Sequence, residues 1–155
     1  MLNQWLPLLQ EKLHEKKLLQ LTQNEFEDVV ACVHAMRNHA SRTNMSSFGL
    51  RGPQSNMSTD ERARNFGKWL YEQKSRDGWN VLETIHYVLY AAPLEKAPER
   101  IFEVCHDPGR KISHFGISSL GEIVGWVHPN YSPPRNGRTS KALVALGFDV
   151  HVHSE

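Results

Sequence analysis

The chain has 155 residues, 39% hydrophobic and 23% charged, with 18 basic against 17 acidic side chains and a formal net charge of +1. That length suits one domain with a real core, and the composition excludes a multi-domain machine, a fibrous or disordered chain and a polycation that coats nucleic acid indiscriminately. The longest apolar runs, about six residues, fall far short of the roughly 20 a membrane-spanning helix needs, and MLNQWLPLLQEKLHEKK lacks a signal peptide's basic start and cleavage site, so a cytoplasmic location is expected.

Residues 2–20 place Leu2, Leu6, Leu9, Leu13 and Leu19 at near-helical spacing with charges between them. This predicts a surface-lying amphipathic helix with Pro7 in its first turn and a leucine-rich face that a protein partner could use. Thr22 followed by Glu25 has capping-box spacing, and the stripe Phe26, Val29, Val30, Val33 and Met36 predicts a continuous helix over about 23–42. Residues 44–58 carry Gly, Pro, Asn and Ser without a period and predict a long loop, the segment expected to be disordered. A Ser/Thr cap and first-turn acids then open a helix with Ala63, Phe66, Trp69 and Leu70 along one side. Val81, Leu82, Ile85, Val88 and Leu89 give the next helix a broad apolar face suited to the centre of a bundle, and Pro93 stops it.

Shorter helices follow over 97–106, over 117–127 with Ser118 or Ser119 as cap and Leu120, Ile123, Val124 and Trp126 inward, and over 138–146 with Ala142, Leu143, Ala145 and Leu146 inward. Gly147 stops the last helix, and FDVHVH alternates as a short strand over 148–153. The expected fold is therefore mainly α: a compact multi-helix domain with a helical core region (1–92) and a basic C-terminal region (93–155). The order helix, connection, helix, strand makes that region helix-turn-helix-like or winged-helix-like. Cys32 and Cys105 lack a CxxC partner and are expected to be buried reduced thiols.

The charge is unevenly placed. From Pro108 to Gly147 stand Arg110, Lys111, Arg135, Arg138 and Lys141 against Glu122 alone. In SPPRNGRTSK the helix start offers Thr139 and Ser140 hydroxyls and free first-turn N–H groups beside Arg135, Asn136, Arg138 and Lys141, donors that suit a phosphate or a base edge. Arg110 and Lys111 lend charge, Tyr131 sits in the polar loop where it could stack on a base, and Trp126, His114 and Phe115 lie nearby in sequence. The blander alternative is a capped helix start with solvated charges. The expected partner is nucleic acid, DNA before RNA, bound without cofactor or metal.

Enzyme signatures are sparse: no Walker sequence, dinucleotide glycine fingerprint, dense carboxylate cluster or Gly-x-Ser-x-Gly elbow around Ser118, Ser119 and His114. His34 and His39, five apart, diverge by about 140° on a helix and make poor joint ligands. DVHVHS, residues 149–154, is similar to the Asp-x-His-x-His strand that begins the metal barrel of amidohydrolases, and the resemblance implies His151 and His153 as ligands. Only two residues follow His153, so no such barrel is expected. Arg100 and His106 in RIFEVCH resemble the Arg-x(4–6)-His spacing of helical HEPN ribonucleases, which implies an alternative function: metal-independent RNA cleavage with both residues on the phosphodiester.

Overall fold

The computed structural model describes residues 2–50, 56–135 and 137–152. Its helices are α1 (Leu2–Lys12), α2 (Glu15–Leu18), α3 (Gln23–Cys32), α4 (His34–Arg42), α5 (Thr59–Glu72), α6 (Val81–Tyr90), α7 (Ala97–His106), α8 (Ile117–Val127) and α9 (Gly137–Ala145). The protein is mainly helical, with no strand among the described residues. Local chemistry starts several of these elements. Thr22 with Glu25, Ser58 with Glu61 and Asn80 with Glu83 form reciprocal capping boxes at the starts of α3, α5 and α6. Each satisfies two backbone N–H groups that the first turn leaves without a partner.

Two expected helices are divided. Over 2–20 the His14 side chain accepts from the Lys16 amide at 3.3 Å and restarts the chain as α2, while Pro7 lies inside α1 rather than in its first turn. Leu9, Leu13, Leu18 and Leu21 are buried in this chain's own core, whereas Leu19 stays exposed. The helix expected over 23–42 breaks at Val33, which takes extended backbone (φ −76°, ψ 113°) between α3 and α4. The cause is distant. The carboxylate of Glu122 on α8 accepts from the amides of His34 (2.7 Å) and Ala35 (2.8 Å), and Arg37 donates to the released Ala31 carbonyl at 2.8 Å. The groups freed by the break thus find charged partners, which is why it is tolerated.

Helices α3 and α5 pack closely, because Gly67 lets α5 approach Glu27 and Val30. Helix α8 contacts α1, α4, α6 and α7, with Leu120, Ile123 and Val124 buried and Trp126 half-buried. Of the expected loop 44–58, Met45–Phe48 forms a 3₁₀ turn whose Met45 and Phe48 are buried, and residues 51–55 lie outside the described residues. Residues 148–152 enter no ladder, and His153 is outside the described residues, as is Asn136. Both cysteines are free thiols, Cys32 buried and Cys105 partly so. No helix among the described residues is long and apolar enough to cross a membrane.

Candidate nucleic-acid interface

Two glycines on α8 decide where the C-terminal segment lies. A Cβ on Gly125 would overlap the backbone of Pro133 and Pro134, and one on Gly121 would come within 3.2 Å of the Arg135 carbonyl oxygen. With hydrogen in place of a side chain, the connection leaving α8 folds back along that helix, and the Arg135 amide reaches the Gly121 carbonyl at 3.4 Å. The prolines keep this return path stiff. It is therefore not the tight turn of a compact helix-turn-helix. The start of α9 comes to lie over the groove between α7 and α8, where the Thr139 hydroxyl donates to the Pro134 carbonyl at 3.1 Å.

Beneath it is a cleft of about 280 Å³, walled by Pro98, Ile101 and Phe102 of α7 and by Ile117, Gly121 and Val124 of α8. Tyr131, Ser132, Arg135, Gly137 and Ser140 also line it. Ser140 is 5% exposed, whereas Tyr131 is 48% exposed. Arg135, Arg138 and Lys141 are all exposed. Arg138 and Lys141 stand three residues apart on α9 and so share one side of the helix. Of the apolar residues expected to bury α9, only Leu143 is half-buried, while Ala142, Ala145 and Leu146 are exposed together with Val144 and Phe148. Too little of the domain lies beneath α9 to cover that side.

The other expected site residues are dispersed. Arg110 lies 4.6 Å from the Trp79 ring centroid and 4.8 Å from that of Tyr87, with a guanidinium nitrogen 2.8 Å from Glu103 Oε1. Its charge is neutralised there, and contact with Tyr87, then Glu103, holds its pKa above the ordinary value. Phe115 is buried, and Trp126 is half-buried with its indole N–H donating to Glu122 at 3.0 Å. Arg100 is buried and donates to the carbonyls of Val88 (2.7 and 2.9 Å) and Pro93 (3.2 Å), closing the C-terminal end of α6. The arginine that the ribonuclease resemblance would set on a phosphodiester is engaged inside the fold. His106 stacks on Phe102 and bonds its carbonyl at 2.8 Å. Among the described residues no three His, Cys, Asp or Glu converge as metal ligands.

Sequence reasoning missed a second cavity, about 370 Å³, on the other side of the α8 N-terminus. It is lined by His39, His106, Lys111, His114, Ser118 and Ser119 among others, and shares Ile117 and Ser118 with the first. His39 Nε2 and His114 Nδ1 meet at 3.0 Å across 75 residues of sequence. His114 sits at φ 61°, a left-handed backbone that a non-glycine residue adopts only at a cost. The rings of Phe48 and Trp69 pack edge-on against it. The partial signal was the motif KISHFG, with a histidine immediately before a helix start.

No protein family, curated protein or solved structure matches the chain.

Proposed function

We propose that the chain binds nucleic acid, duplex DNA in the first instance, along the surface formed by residues 131–141. The observation that carries this reading is the fate of Glu122. It is the one acid between Pro108 and Gly147, and it is 1% exposed, its carboxylate turned inward onto α4. The exposed charge of that stretch is therefore wholly basic, and Arg135, Arg138 and Lys141 supply the phosphate contacts that dominate nucleic-acid affinity. In this reading α8 and α9 act as a helix-turn-helix-like pair with a long connection, α9 presenting its first turns to the groove. Asn136 adds a base-edge donor and acceptor, Thr139 and Ser140 frame the helix start, and Tyr131 stacks at the cleft mouth. Lys111 adds charge from the neighbouring cavity.

The test is a fluorescence-anisotropy titration of duplex DNA, single strands and RNA over a salt series. Wild-type affinity is expected to fall steeply with salt, and the double variant Arg138→Gln/Lys141→Gln to flatten the log–log slope by about two. An unchanged slope and affinity in that variant would falsify the proposal. The exposed Val144, Leu146 and Phe148 favour a second reading, in which α9 docks on a protein. Under that reading no nucleic acid binds at any salt concentration.

A further inference from the structure

We infer that the cavity at the start of α8 is a binding site for a phosphate group, taken as inorganic phosphate or as the terminal phosphomonoester of a nucleotide or nucleic acid. Its lining carries three imidazoles (His39, His106, His114), the Lys111 ammonium and the Ser118 and Ser119 hydroxyls, and no carboxylate among the described residues. A cation site needs acidic or converging lone-pair donors, whereas this set offers N–H and O–H donors and positive charge, the complement of an oxyanion. Ser119 is only 7% exposed, yet its hydroxyl lines the cavity with no hydrogen-bond partner among the described residues. That hydroxyl opens onto the cavity, where it can donate to a bound oxygen.

The backbone points the same way. Gly116 precedes α8 with no side chain to bond the first-turn amides, and the α8 ladder begins only with the Leu120 amide on the Gly116 carbonyl at 3.1 Å. Gly116, Ile117, Ser118 and Ser119, at the positive end of this 11-residue helix, line the same opening. His114, three residues after Lys111, is held in left-handed backbone against Phe48 and Trp69 and lines the same cavity. The strained residue is kept where a ligand would contact it, as strain at binding sites generally is. This site does not rest on the nucleic-acid reading, because free phosphate alone would satisfy it.

The experiment is titration of the full chain with inorganic phosphate, a nucleoside 5′-monophosphate, and oligonucleotides with and without a 5′-phosphate, followed by calorimetry and by thermal shift. Saturable binding of phosphate is expected, with a rise in Tm that grows with ligand concentration. Lys111→Gln and Ser119→Ala should each weaken it about fivefold to tenfold, and the surface variant Lys68→Gln should leave it unchanged. A preference for the 5′-phosphorylated oligonucleotide over free phosphate assigns the source to nucleic acid, and the reverse preference to a free ligand. The inference is overturned if no arm saturates, or if Lys111→Gln and Ser119→Ala, folded by circular dichroism, bind phosphate as the wild type does. Loss of DNA binding with phosphate binding intact would refute the surface reading alone.

Discussion

Replacing Glu122 tests the internal architecture on which both clefts depend. Its carboxylate accepts from His34 N, Ala35 N and Trp126 Nε1 at 2.7, 2.8 and 3.0 Å and is almost fully buried. Glu122→Ala leaves two backbone amides at the α4 start without an acceptor, each worth about 1–3 kcal/mol, and removes the anion that complements the helix dipole there. The expected loss is about 3–5 kcal/mol, or roughly 8–16 °C in Tm for a chain of this size. Glu122→Gln keeps one oxygen for one amide and turns an NH₂ donor toward the other, so about half that loss is expected. Urea denaturation monitored by circular dichroism gives the free energy, and amide hydrogen exchange should show His34 and Ala35 losing protection first. A loss below about 1 kcal/mol for Glu122→Ala, with His34 and Ala35 still protected, would refute the argument, since α3 and α4 would then be able to fuse without penalty.

Gly125→Ala should destabilise the fold by about 1–3 kcal/mol and weaken DNA binding, because its methyl collides with the stiff Pro133–Pro134 backbone, whereas Gly121→Ala, facing one carbonyl at 3.2 Å, should be milder; urea melts and anisotropy measure both. Burial holds the His128 imidazole below its ordinary pKa, and its Nε2 has no partner among the described residues. The unfolded state therefore binds the proton more readily. Stability should be at its full value above the unfolded pKa of 6.5 and fall as pH drops below it through the folded value, and His128→Phe should flatten that slope in melts taken between pH 7 and pH 5. Burial pushes the Cys105 thiol up to about 11 from 9.0, so at pH 8 a thiol reagent should modify it roughly a hundredfold more slowly in the native protein than in urea; equal rates would show that the thiol is not held in that burial.

The helices were legible wherever the interaction that makes them spans a single turn. Thr22 with Glu25, and Ser58 with Glu61, act over three residues and mark the starts of α3 and α5, and the apolar stripes of α6 and α8 repeat within two turns, so these features follow from the string of letters. The basic bias of Pro108–Gly147 is equally a property of the sequence. Of the candidate site, Arg135, Arg138 and Lys141 are exposed, but the nearby Arg110 is claimed by Glu103, Trp79 and Tyr87.

Tertiary structure alone decided the rest. The break at Val33 depends on a carboxylate 87 and 88 positions away from the amides it caps, and the His39–His114 pair joins segments 75 residues apart. The return of the C-terminal connection depends on two hydrogens where α8 could have carried side chains. An amphipathic pattern states that a face can be buried, as on α9, but whether anything is there to bury it is fixed by the path of the whole chain. Periodicity and capping are short-range and written locally, whereas the partner of a buried charge or a ring nitrogen is chosen only when distant segments meet.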